Sequence, residues 1–318
     1  MTDLHRRVAE PMDLTQLKYF LKVVELRSMT KAAQALHIAQ PAITRQIRQL
    51  EEELGVELLL RHSRGAEPTE AGLQLQAGAA AMLRLAAETR STVQASSQQV
   101  VGTVRVGFPP SVGASLVAQA ATTFRQAHPM ADLVLDEGYS TQLRDALLSD
   151  RLDMAVLTDA PANPLLHQNP LYEESLWVFY HPGHKVAGSR RTSLAVRSLR
   201  DLALIQPSPD NTLRRLLEHA ARAEGFALNV IMQSESLAVT RGLLANAAGA
   251  HVSPYTALQD DLATGTLAGR QIDGLWVTRS LARRVDRPMT LAQQKFTIAL
   301  QDEVGALRSS APDIIRTK

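Results

Sequence analysis

Gln40, Pro41, Thr44, Arg45 and Arg48 recur at spacings that place them on one side of a helix. Amide, hydroxyl and guanidinium groups gathered near a helix N-terminus have the reach to read base edges and phosphates in a DNA major groove. Ile43, Ile47, Leu50 and Leu54 step by four, three and four on the other side and give that helix a face to bury. A second cationic group follows at Arg61 and Arg64, beside His62, Ser63 and Gly65, near the tip of a hairpin expected over 57–68. Cations there contact phosphate or a minor groove. The alternative is that they are solvated loop charges.

Three helices have to position that face. Leu17, Phe20, Leu21 and Val24 recur at helical spacing, and Ser28 stands where it would cap a short second helix with Ala32, Ala33 and Leu36 facing inward. The Ala32-Ala33 pair keeps that face thin, so two helices can cross closely. A turn at His37-Ile38-Ala39 leads into the third helix. Three helices and a hairpin spell a winged helix-turn-helix. Thr69 then caps a long helix running to about Gln98 with no proline inside. Leu75, Ala79, Met82, Ala86, Thr89 and Val93 alternate steps of four and three, the 3.5-residue repeat of a helix pairing with a helix. The competing expectation is a surface helix packed on its own domain.

From Val101 short apolar strands alternate with amphipathic helices. Strands are expected at 104–108, 133–135, 154–157, 176–180, 204–205 and 229–232, with helices at 115–128, 142–149, 212–224, 237–247 and 291–307. Such alternation implies parallel sheets covered by helices. Thr290 with Gln293 forms a capping box for the last helix.

The run AAQALHIAQPAITRQIRQLEEELG from Ala32 to Gly55, with Leu58–Arg61 and Pro68–Gly72, resembles the DNA-binding domain of LysR-type transcriptional regulators. The likeness is close over residues 12–98 and loose beyond. Ala39 departs from it: many members place a capping Ser there, and its loss costs about 1 kcal/mol. The resemblance implies an N-terminal all-α winged helix-turn-helix, a long linker helix, and an α/β two-lobed effector domain like a periplasmic binding protein. Residues 12–68 would bind DNA, 69–98 would link and dimerise, and 99–318 would form the lobes. Lobe 1 would comprise 99–172 and 274–318 and lobe 2 would comprise 173–273, with crossings near Tyr172-Glu173 and Asp273-Gly274. Residues 1–11 precede the usual family start at Met12, so they are a tail or translation begins at Met12. The implied partners are double-stranded DNA with an interrupted palindrome, a small-molecule effector, and a second copy or three more; RNA polymerase is a further candidate. The location expected is the cytoplasm.

Between lobes, helix N-termini can aim N–H groups at an anion. Ser111, in Phe108-Pro109-Pro110-Ser111-Val112-Gly113, is placed to cap a helix and donate to a carboxylate. Ser208 and Thr212, in Gln206-Pro207-Ser208-Pro209-Asp210-Asn211-Thr212, do the same in the second lobe, and Tyr139 and His251 complete the walls. The family resemblance implies effector contacts in both Ser-containing segments, although Ser and Thr at helix starts commonly serve only as caps. The Pro109-Pro110-Ser111 turn is similar to a branch of the family that includes nitrogen-assimilation regulators, some of which act without a ligand. An effector-independent regulator is therefore the alternative reading.

Other chemistry is set aside. The chain has no cysteine, which excludes disulfides and thiol catalysis. His181-Pro182-Gly183-His184 has metal-like spacing, but Pro-Gly at its centre makes a turn. No Gly-x-Ser-x-Gly elbow, phosphate loop or dinucleotide fingerprint occurs, so neither a cofactor nor an enzyme with a DNA-tethering domain is expected. Arg197-Ser198-Leu199-Arg200-Asp201 and Arg283-Arg284 read as solvated loop charges. Among 318 residues, 45% are hydrophobic, enough for two or three cored domains, and no apolar run is long enough to span a bilayer. With a formal charge of only +2, affinity for DNA has to come from local placement of cations.

Overall fold

The computed structural model describes residues 12–62, 65–94, 99–184 and 193–316. Residues 1–11, Ser63, Arg64 and 95–98 therefore lie outside the described residues, including one expected wing cation and the expected end of the linker. The chain divides into two compact units, one ending at Gln94 and the other beginning at Ala95.

In the first unit, α1 (Leu14–Leu26) opens on a reciprocal cap: the Asp13 carboxylate accepts from the Gln16 N–H, and the Gln16 side chain accepts from the Asp13 N–H. The Ser28 hydroxyl accepts from the Lys31 N–H at the start of α2 (Met29–Ala35). α3 (Gln40–Leu54) starts from Ala39 without a side-chain cap, with Pro41 in the first turn. Proline is harmless there because that N–H has no helical partner. Leu17, Phe20, Val23, Ala32, Ala33, Ile43, Ile47 and Leu50 form one buried cluster. Leu21 and Leu36 are only partly buried against it, and Leu54 is 40% exposed. Leu54 closes the last turn, just before the left-handed Gly55.

β1 (Leu59–His62) and β2 (Gly65–Pro68) pair antiparallel as the wing. The wing is tied to the end of α1, because the Arg27 carbonyl accepts from the Ala66 N–H. A Cβ on Gly65 would lie 2.3 Å from that carbonyl oxygen, so the approach requires glycine. α4 (Glu70–Gln94) follows, and the expected seam divides along it. Ala79 is fully buried in the first unit's own core, with Leu75 and Leu83 packed beside it. Met82 and Leu85 are 47% and 50% exposed. The early seam positions Leu75 and Ala79 thus pack into the first unit's own core, while Met82, one heptad beyond Leu75, is turned outward.

The second unit contains, in order, β3 (Gly102–Phe108), α5 (Pro110–Val112), a π-turn (Gly113–Val117), α6 (Ala118–Ala127), β4 (Ala131–Glu137), α7 (Ser140–Leu148), β5 (Met154–Thr158) and β6 (Leu166–Tyr180). After these come β7 (Ser193–Leu194), β8 (Leu204–Gln206), α8 (Thr212–Ala223), β9 (Val230–Gln233), α9 (Leu237–Ala245), β10 (Ala250–Pro254), α10 (Gln259–Ala263), β11 (Ala268–Arg284), α11 (Leu291–Ser310) and β12 (Ile315–Arg316). The main strand order is β4-β3-β5-β11-β6-β10-β8-β9. β3 runs parallel to β4 and β5 in one lobe, and β8 runs parallel to β9 and β10 in the other.

Between these parallel sets the expectation of separate parallel sheets is corrected. β6 and β11, of 15 and 17 residues, pair antiparallel and run through both lobes. The crossings at Tyr172-Glu173 and Asp273-Gly274 are thus strand interiors. Two register shifts, between Gln271 and Trp276 and between Arg279 and Ser280, absorb the bend. Arg283 and Arg284 accordingly lie on β11, not in a loop, and Arg284 pairs with Asp150 and Asp286.

α11 closes the first lobe: Phe296 meets Phe124 of α6 edge-to-face, with ring centroids 5.6 Å apart. Its capping box of Thr290 and Gln293 is formed. In the second lobe Leu176, Val178, Leu204, Leu217, Ala250 and Val252 share a core. The 181–184 segment is a turn in which the His184 N–H donates to the His181 carbonyl. No helix among the described residues is long and apolar enough to cross a membrane.

Candidate functional site

On α3 the buried and polar faces separate cleanly. Ile43, Ile47 and Leu50 have no exposed surface, while Gln40, Pro41, Arg45 and Arg48 are exposed. Thr44 is half-buried, and its hydroxyl donates to the Gln40 carbonyl at 3.0 Å. That leaves Thr44 an acceptor and a methyl group to offer, but no free donor. Arg61 is held elsewhere: its guanidinium donates to Glu51 of α3 at 2.7 Å. The other Glu51 oxygen accepts from the Leu58 and Leu59 N–H groups, so this carboxylate fastens the wing strand to α3.

In the second unit a cleft of about 640 Å³, counted out to its open mouth, lies between the lobes. It is lined by Ser111, Tyr139, Thr158, Thr212, His251 and Arg279, among others. Ser208 does not line it. Its N–H donates to Glu235 at 2.7 Å, and the Tyr139 hydroxyl donates to the Glu235 carbonyl at 2.6 Å across the lobes. Burial, then the charges of Glu235 and Glu137, push the Tyr139 phenol up to about 12. Thr212 lines the cleft but does not cap α8; Asn211 does, accepting from the Leu213 and Arg214 N–H groups.

Ser111 does not act as a cap either. The residue preceding α5 is Pro109, without a side-chain bond, and the Ser111 hydroxyl instead accepts from Nη2 of Arg279 at 2.8 Å. Arg279, 1% exposed, is the cleft residue that sequence reasoning missed altogether. Its Nε and Nη2 donate to Oε1 of the fully buried Glu174 at 2.7 and 2.6 Å, and its Nη1 donates to the Thr158 hydroxyl. The second Glu174 oxygen accepts from the N–H and hydroxyl of Thr256. Burial opposes the Arg279 charge, but the adjacent carboxylate outweighs it and holds the guanidinium above its usual range. Burial and the Glu174 charge push the neighbouring Tyr172 phenol up.

The facing wall comes from β10. Alternation along the strand sends Ala250 and Val252 into the lobe core and His251 and Ser253 into the cleft. His251 Nδ1 lies 2.7 Å from the Ile205 carbonyl, which can only accept, so Nδ1 carries the proton and Nε2 is a lone-pair acceptor. Burial pushes the imidazole down to about 4. A histidine held neutral in this way binds its proton later than the unfolded chain does, near 6.5. Its contribution to stability is therefore complete above that pH and shrinks as pH falls towards 4, by up to about 3 kcal/mol. Urea unfolding at pH 7 and pH 4.5 should show a smaller acid loss in His251→Gln than in the parent; equal losses would mean that His251 is not the buried acid-sensitive group.

A winged helix with a polar reading face, joined to a two-lobed α/β unit with a cleft, defines a regulator that couples a DNA reader to a binding domain. Residues 14–73 match the lysR family of bacterial regulatory helix-turn-helix proteins, and residues 97–305 match the LysR substrate binding domain. The chain belongs to the LysR family and is a transcriptional regulator, not an enzyme. It is 32% identical over 250 residues to the nitrogen assimilation regulatory protein nac of Klebsiella aerogenes, covering 77% of this chain and 79% of that one. It is 25% identical over 301 residues to the hydrogen peroxide-inducible genes activator of Haemophilus influenzae, covering 93% and 98%. Full-length BenM superposes with a TM-score of 0.56 at 26% identity, covering 94% and 97% of the two chains. Full-length OxyR from Pseudomonas aeruginosa shares the fold with a TM-score of 0.70 at 23% identity, covering 92% and 95%.

Proposed function

We propose that this regulator binds an interrupted palindrome as a homodimer or homotetramer in the cytoplasm, under the control of a small molecule held between its lobes. The observation that carries the DNA reading is the separation on α3 of a fully buried apolar face from the exposed Gln40, Pro41, Arg45 and Arg48. Side chains of that kind on the first turns of a recognition helix reach base edges. Residues 12–68 would form the reader and 69–98 the linker, with Met82 and Leu85 offering the outward apolar contact to a second copy.

The effector reading rests on the cleft, where Ser111, Tyr139, Thr158, Thr212 and His251 converge. An anionic group there would meet hydroxyls and helix starts but no unpaired cation from Arg279, whose charge is matched by Glu174. Without a cysteine, the chain cannot respond to peroxide through a thiol, whatever induces the peroxide-responsive relatives. Selection of bound sites from a random duplex library by the full-length protein should return two half-sites related by a two-fold axis, one helical turn or a multiple apart. Recovery of unrelated sequences would overturn the reading.

A further inference from the structure

The two walls of the cleft differ in hydrogen-bond polarity. On the first lobe, the Ser111 and Thr158 hydroxyls both accept from Arg279, which has nothing but donors. Each hydroxyl therefore keeps its own proton for another acceptor. On the second lobe, His251 Nδ1 is committed to the Ile205 carbonyl, which leaves Nε2 as a lone-pair acceptor. Beside it on the same face of β10, the Ser253 hydroxyl is 3% exposed and has no hydrogen-bond partner among the described residues. A buried polar group left unpaired is costly, and one that lines a cleft finds its partner in what enters.

We propose that the cleft selects a small molecule with two unlike ends. A carboxylate or carbonyl end accepts from Ser111 and Thr158, and a hydroxyl or amine end donates to His251 Nε2 with Ser253 alongside. The ligand class is hydroxy- and amino-carboxylic acids, and His251 is the residue that determines specificity within it. This rests on the cleft being an effector site and adds what the site reads. A plain carboxylic acid would fill the first-lobe end and leave both second-lobe groups buried without a partner. Sites built to hydrogen-bond a ligand group reject the analogue lacking it far more strongly than apolar pockets reject a missing methylene.

Matched probes test this by calorimetric titration of the full-length protein at pH 7: butyrate against 4-hydroxybutyrate and 4-aminobutyrate, propionate against lactate, and phenylacetate against 4-hydroxyphenylacetate. In at least one set the member bearing the donor should bind about tenfold tighter or more than its plain partner. In His251→Leu that preference should vanish. In Ser253→Ala, a smaller change that keeps the Ile205 contact intact, the preference should shrink. Equal affinity within every set that binds would overturn the proposal and leave the effector cleft standing. Preference retained in both variants would also overturn it. No binding by any probe would overturn the cleft reading and the proposal together.

Discussion

Arg279→Leu is expected to destabilise the second unit by about 3–5 kcal/mol, because it leaves the Glu174 carboxylate buried without its counter-charge. Glu174 has no exposed surface and Arg279 has 1%, so water cannot take the place of the missing partner. The same change strips the Ser111 and Thr158 hydroxyls of their donor. Glu174→Leu should cost a comparable amount, since it strands the guanidinium and frees the Thr256 hydroxyl and N–H. The double variant should recover part of the loss, because an apolar pair removes two desolvation penalties together. Recovery should stop short of the parent, since three hydroxyls remain without the bonds the pair supplied. Denaturant unfolding of the four proteins closes the cycle. Additive losses in the double variant would show that the two residues stabilise the unit separately.

This pair also marks the limit of what the sequence discloses. Arg279 stands between Thr278 and Ser280 in a polar run that reads like an exposed strand, and its partner is 105 residues away. No local period reports such a pairing. Arg61 is hidden for a related reason: its carboxylate lies ten residues back on α3, and a hairpin cation looks free until the register is known. Ser208 reads as a helix-start hydroxyl turned to the cleft, yet the cap of α8 falls to Asn211.

Where packing is local, the residues are sufficient. Ser28, the Ala32-Ala33 pair and the row of Ile43, Ile47 and Leu50 act within a few turns of one another, so spacing and burial coincide. His251 is legible only as part of a wall. Its polarity needs the Ile205 carbonyl, which belongs to a different strand. The long strands β6 and β11 stay hidden because Pro170 and Gly274 interrupt their apolar patterns, and bulges tolerate both residues.

Polar contacts between the lobes show how a ligand would be felt. The Thr256 hydroxyl lies 3.0 Å from the Ser111 carbonyl, and Tyr139 reaches the Glu235 carbonyl. Both contacts join one lobe to the other, so a molecule seated between Ser111 and His251 bears on the same elements that hold the lobes together. A ligand shifts such an arrangement only by its difference in affinity between the open and closed forms. A molecule bonded to one wall alone has little such difference; one bonded to both walls has more.

Arg45→Ala should weaken binding to the selected operator by about 1–3 kcal/mol for each base edge the guanidinium no longer reads. A homodimer presents the residue twice, so the expected total is about 2–6 kcal/mol for a symmetric site. Arg45 is exposed on the first turns of α3, and no ion pair with a carboxylate on the described residues claims it, in contrast to Arg61. If it reads a base, the loss should fall on the operator and spare a scrambled duplex, while the slope of affinity against salt stays nearly unchanged. If it holds a phosphate, both duplexes should weaken alike and the slope should flatten by about one ion per phosphate. Fluorescence anisotropy with the two duplexes at several salt concentrations separates these results. Unchanged affinity and unchanged discrimination would mean that α3 is not the reading helix, because the Ile43, Ile47 and Leu50 face fixes which side of it is turned outward.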